Sequence, residues 1–147
     1  MTAIVSKHVS MSVHQEIGLL LGSQVDSDAD LVRLAKRGVS VRSFKKATRT
    51  MHIRPNSIIP ETTLRRRKAE KQPLTSRETE RLVRLARVFA EARSLYGDGA
   101  AASDWLNTAA DFLDDGSPVT PYELAASEAG ARLVETLIRR TAYGFVA

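Results

Sequence analysis

The sequence predicts an all-α fold in two helical parts, and three observations carry that prediction. Helix-opening signals recur along the chain. Apolar residues return at helical spacing between them. Glycines and prolines fall where one periodic stretch gives way to the next. The firmest element runs over about 76–96. It opens on Thr75 and Glu78, a T-x-x-E capping box in which the two side chains satisfy each other's end N–H groups. At ~100° per residue, Leu82, Leu85, Phe89, Ala92 and Tyr96 form one stripe. Arg77, Arg81, Arg84, Arg87 and Glu91 form the opposite arc, which is read as solvated.

The other elements follow in order. Met11 to Leu21 is a short first helix or a frayed arm, and Gly22 to Ser27 reads as a loop. Ser27 or Asp28 caps a helix through Lys36, with Leu31, Val32, Leu34 and Ala35 apolar and Gly38 at its end. Ser40 caps a second helix to about Met51. Val41, Phe44, Ala47 and Met51 face inward, and Lys45, Lys46 and Arg49 face outward. Pro55 stops it, leaving about one turn over 54–59. Pro60 fits the first position of a helix over 60–70. Beyond the long helix, Gly97 and Gly99 break the chain, and Ala100 to Leu106 forms a short helix. It carries the only tryptophan, Trp105, expected in the core. Asp114 to Pro118 is a turn, and Thr120 caps a helix with Pro121 first and its end near Ser127. Gly130 separates it from a last helix through Arg140, apolar at Leu133, Val134, Leu137 and Ile138. The segment Tyr143-Gly144-Phe145-Val146-Ala147 is apolar and aromatic where chain ends are normally polar. It either packs on its own domain or docks into a partner.

Charge divides the 147 residues more sharply than the net +5 suggests. Residues 28–97 hold 18 Lys+Arg against 7 Asp+Glu, whereas residues 98–147 hold 3 against 8. A basic middle favours nucleic acid, and an acidic end favours a different partner. Cysteine is absent, which excludes disulfides, thiolate metal sites and cysteine nucleophiles and suits a cytoplasmic protein. No apolar run approaches the ~18 residues of a membrane span, and no secretory signal is read. His8, His14 and His52 lack metal-ligand spacing, and no glycine-rich phosphate loop appears. Asp111, Asp114 and Asp115 fit turn chemistry better than a calcium loop. The chain is therefore read as a non-enzyme, with no catalytic, metal or cofactor site.

The densest charge is Ile58 to Leu74, IIPETTLRRRKAEKQPL. A short basic helix there can set Arg65, Arg66, Arg67 and Lys68 on phosphates and Thr62 and Thr63 at base edges. The plainer reading is a solvated charge run.

The run from Ile59 to Lys68, then Leu74-Thr75 and Leu82 to Ala90, resembles the Xre/MbcA/ParS-like antitoxins that partner RES-domain toxins. Trp105-Leu106, Leu113, Gly116, Pro118, Pro121, Leu124, Glu128-Ala129-Gly130, Val134, Leu137 and Tyr143-Gly144 follow that family's toxin-binding pattern. The resemblance covers about residues 28–147. Residues 1–27, outside it, are read as an N-terminal arm or first helix, and the resemblance implies an Xre-like helix-turn-helix DNA-binding domain over 28–97. Residues 98–147 would be a small helical toxin-binding domain with a tail. It further implies binding to the operator of the chain's own promoter, homodimerisation, and neutralisation of a toxin that consumes NAD or ADP-ribosylates a target. The NAD chemistry would belong to the toxin. The family's C-terminal end lies at the toxin's active-site entrance, which on this sequence is Tyr143, Gly144, Phe145, Val146 and Ala147. The single turn before Pro60 departs from the two-turn helix of a full helix-turn-helix. Two other readings stay open: a stand-alone helix-turn-helix regulator whose second part only dimerises, and an adaptor whose basic face is only solvated.

Overall fold

The computed structural model describes residues 11–142. Within them the elements are α1 (Val13–Leu21), α2 (Asp28–Arg37), α3 (Val41–Met51), a 3₁₀ turn (Pro55–Ser57), α4 (Glu61–Glu70), α5 (Ser76–Tyr96), α6 (Gly99–Leu106), α7 (Pro121–Leu124) and α8 (Glu128–Ala142). The only extended pairing among the described residues is one antiparallel bridge, Ala110 to Val119. No helix there is long and apolar enough to cross a membrane.

Side-chain caps set most of the boundaries. Ser27, Ser40, Thr75 and Thr120 accept from Asp30, Ser43, Glu78 and Glu123 N–H groups, as the sequence predicts. Each such cap is worth about 1 kcal/mol. The Thr75–Glu78 box closes in both directions. Ser12 and Gln15 form a second box, which fixes the start of α1. Pro60 differs from expectation. It sits at the N-cap of α4 rather than inside the first turn, and it offers no side-chain acceptor.

The fold is organised around α5, against which α1, α2, α3, α6 and α8 all pack. Thr79, Leu82, Val83, Leu85, Ala86, Val88, Phe89, Ala90 and Ala92 are buried, so α5 is enclosed over well more than one stripe. One continuous apolar cluster runs from Ile17 on α1 to Ile138 on α8. The charge sign changes at Gly97, but the core continues across it. α1 is built into that core through Ile17 and Leu21, both buried, rather than hanging as a frayed arm.

Four details correct the sequence reading. Tyr96, placed on the core stripe, is 37% exposed at the end of α5. Trp105 is half-buried at the core's edge, and its neighbour Leu106 takes the enclosed position. Gly130 lies inside α8, not between helices. It is needed because a Cβ there would lie 1.7 Å from the Leu124 carbonyl oxygen. The arc of α5 read as solvated is only partly so. Arg81, Arg84 and Arg87 are half-buried. Arg81 donates to the carbonyls of Ser57 (3.2 Å) and Ile58 (3.4 Å). Arg84 donates to the carbonyl of Ala126 (3.0 Å). These arginines tie distant segments to α5.

Candidate nucleic-acid interface and partner face

α4 carries little core. Leu64 is its one buried residue. Around it Thr62, Arg65, Arg66 and Lys68 are exposed, and Thr63 is half-buried. Arg65 reaches Glu61 one turn back at 3.4 Å. Both partners are mostly in water, where such a pair contributes little and yields easily to a phosphate. Arg65, Arg66 and Lys68 are thus presented as the sequence reading requires.

Arg67 is not. Its side chain is only 11% exposed and is engaged with the carboxylate of Glu78 at the start of α5. That carboxylate also accepts from the Thr75 N–H at 2.8 Å, closing the capping box. Arg67 therefore fastens α4 to the N-terminus of α5, and the expectation that it faces phosphates is corrected. Three residues on from the buried Leu64, Arg67 lies on the side of α4 that meets α5, while Arg65 and Arg66 turn away from it.

α3 adds exposed cations beside those of α4. α3 buries Val41, Phe44, Ala47, Thr48 and Met51 and leaves Arg42, Lys45, Lys46 and Arg49 exposed. Lys45 shares a shallow groove with Pro55, Asn56, Glu61, Leu64, Arg65 and Lys68. Arg42 lines the adjoining groove with Lys68 and Lys71. Two helices thus join in one basic face, with Lys68 at the seam. The signal was present as Arg42, Lys45 and Arg49, spaced three and four apart on the side opposite Phe44.

The acidic half presents a different surface. Trp105 lies 6.4 Å from Tyr96 and 6.3 Å from Phe112, ring centre to ring centre. Leu113 beside Phe112 is 50% exposed. Asp104, Asp111, Asp114 and Asp115 are exposed in the same stretch of chain. The carboxylate of Asp111 accepts from the Asp115 and Gly116 N–H groups, which is turn chemistry. Between α5 and α8, Glu91 is half-buried. Burial, and then the like charge of Glu135, push its carboxyl up to about 7 against the pull of Arg139 and Arg87. The predicted partner-binding residues Tyr143, Gly144, Phe145, Val146 and Ala147 lie outside the described residues.

Two family models match consecutive parts of the chain. One, described as the antitoxin Xre-like helix-turn-helix domain, matches residues 30–87, from α2 into α5. The other, the antitoxin Xre/MbcA/ParS C-terminal toxin-binding domain, matches residues 91–144. A curated relative from Pseudomonas putida KT2440, named antitoxin Xre, is 30% identical over 115 residues. The match covers 78% of this chain and 64% of that relative.

Proposed function

The chain belongs to the Xre/MbcA/ParS antitoxin family, and on that premise we propose that it restrains a RES-domain toxin and grips its own promoter DNA. The observation that carries the reading is the division of one molecule into two chemically opposite faces. The basic face of α3 and α4 falls within the match to a helix-turn-helix domain. The acidic, aromatic face falls within the match to a toxin-binding domain.

On DNA, Arg65, Arg66 and Lys68 of α4, with Arg42 and Lys45 of α3, take phosphates. Thr62 and Thr63 stand at the end of α4 that meets base edges. On the toxin, the helices over 98–142 hold the partner while Tyr143 to Ala147 cover the entrance to its NAD site. Tyr143 and Phe145 are aromatic anchors of the kind that dominate interface energies. The NAD chemistry stays with the toxin, and this chain works as a homodimer within the complex. The basic face favours this reading over an adaptor, because Lys68 joins cations of two helices where a merely solvated run would stay on one.

The test is co-expression with a RES-domain toxin, following growth and cellular NAD. The full chain is expected to protect. A chain lacking Tyr143 to Ala147 is expected to remain associated with the toxin yet leave NAD turnover running. Full protection by the shortened chain would overturn occlusion by that segment.

A further inference from the structure

The segment that aims α4 is held from the other half of the chain. α3 ends at Met51, and His52 follows in the left-handed conformation at φ 57°. The last carbonyls of a helix have no partner within it and need one from elsewhere. Here the Thr48 and Arg49 carbonyls are taken locally by the Ile53 and His52 N–H groups, and the Met51 carbonyl finds its donors 52 and 71 residues downstream. Tyr122 donates its hydroxyl to the Met51 carbonyl at 2.9 Å. Ser103 donates to the same oxygen at 3.4 Å. Asn107 donates to the His52 carbonyl at 3.2 Å and to the Ser103 carbonyl at 3.0 Å, which locks its own orientation. Tyr122 is buried, and burial pushes its hydroxyl far above the usual range, so it remains a donor at any working pH.

The chain then needs only the residues 53–60 to reach α4. Ile59 is fully buried. Arg81 grips the Ser57 and Ile58 carbonyls. α4 itself adds only Leu64 and the Arg67–Glu78 pair. A helix with one buried side chain takes its direction from its two ends: the exit is held by Arg67 on Glu78 and by buried Leu74, which donates to the Val39 carbonyl at 2.8 Å, and the entry is held by the segment 53–60.

We infer that Ser103, Asn107 and Tyr122 are positioning residues for α4: residues of the toxin-binding half that set the angle at which the basic helix meets DNA. The inference rests on the reading that α4 contacts DNA. Its consequence is that sequence discrimination and bulk DNA attraction separate. Attraction comes from exposed cations and tolerates a tilt of α4. Discrimination needs Thr62 and Thr63 held in register with base edges.

The test uses the full chain carrying Tyr122→Phe and Asn107→Ala, together and singly. Phenylalanine keeps the ring, and Asn107 is exposed, so the single Asn107→Ala variant guards against loss of the fold. Binding is measured to a duplex from the region upstream of this reading frame and to a scrambled duplex of equal length. The double variant is expected to lose preference for the upstream duplex by about tenfold, the scale of one lost base contact. Affinity for the scrambled duplex and its salt slope should stay unchanged. A purely structural role would lower thermal stability and scale both affinities together, leaving the ratio intact; that result overturns the inference. If the unaltered chain shows no salt-dependent preference for the upstream duplex, the DNA reading falls and the inference with it.

Discussion

α4 and α5 are consecutive, arginine-rich helices with opposite duties. α4 buries one residue and presents its charge to solvent. α5 buries nine and turns Arg81 and Arg84 onto backbone carbonyls of other segments. The difference teaches that arginine content says little about use. What decides is whether an acceptor lies within reach of the guanidinium once the chain has folded. On α4 Arg65 finds only the exposed Glu61, Arg66 and Lys68 face solvent, and Arg67 alone reaches an acceptor on another helix, Glu78. On α5 the acceptors are unpaired carbonyls, and a carbonyl left without a donor costs ~1–3 kcal/mol.

The largest expected effect strips α4. Replacing Arg65, Arg66 and Lys68 by Ala should weaken DNA binding by about 100-fold and lower the log–log salt slope by about one unit per lost phosphate contact. The midpoint of urea unfolding should not move, because the three side chains touch no core. Arg67→Ala supplies the contrast within the same helix. It should leave the salt slope unchanged and cost about 1–3 kcal/mol of stability, since Glu78 loses its half-buried partner. A salt slope that falls in Arg67→Ala would return that residue to the DNA face.

Next comes α5. Arg81→Ala leaves the Ser57 and Ile58 carbonyls without their donor and should destabilise the chain by about 1–3 kcal/mol. Amide exchange should quicken around the 3₁₀ turn more than in α8. An unaltered unfolding midpoint would mean that water replaces the guanidinium there, and that α5 is no different from α4 in this respect.

How far these duties were legible depended on distance along the chain. The caps at Ser27, Ser40, Thr75 and Thr120 were readable because their acceptor and donor lie three residues apart. The basic helix was readable because Pro60 and the charge run that follows it are contiguous in the sequence. α1 was legible only as one of two alternatives, a short helix or a frayed arm over Met11 to Leu21, because nine residues give too few turns for a period to declare itself. The acceptors of Arg81 and Arg84 lie 23 to 42 residues away and are carbonyls, which carry no side-chain signature. Gly130 read as a breaker, and only the approach of the Leu124 carbonyl explains it inside a helix. Trp105 read as core because Leu106 follows it at the start of a compact helical unit. In the fold Leu106 takes that place, and Trp105 shares an exposed edge with Tyr96 and Phe112. Of the basic interface, the α4 half was legible and the α3 half was not joined to it, because the groove that unites Lys45 with Arg65 and Lys68 is tertiary.

The smallest effect concerns the acidic counterpart of these arginines on α5. Glu91 is half-buried against α8, where burial and then Glu135 raise its carboxyl to about 7, against the pull of Arg139 and Arg87. In the unfolded chain it titrates near the ordinary value of ~4.3. Between those two values the folded chain holds a proton that the unfolded chain has released. Stability from this group is therefore complete at low pH, declines as pH rises toward 7, and is flat above it. Glu16 on α1 adds in the same direction, raised by burial against the pull of Arg93. Glu91→Gln keeps the shape and removes the titration. It should match the parent below about pH 4 and exceed it above pH 7 by about 1–2 kcal/mol, a value discounted for the solvent that reaches a half-buried carboxyl. Urea unfolding across that pH range reads the difference directly. If the two chains track each other at every pH, the Glu91 carboxylate is as free in water as the arginines of α4, and the contrast between the helices narrows to Arg81 and Arg84.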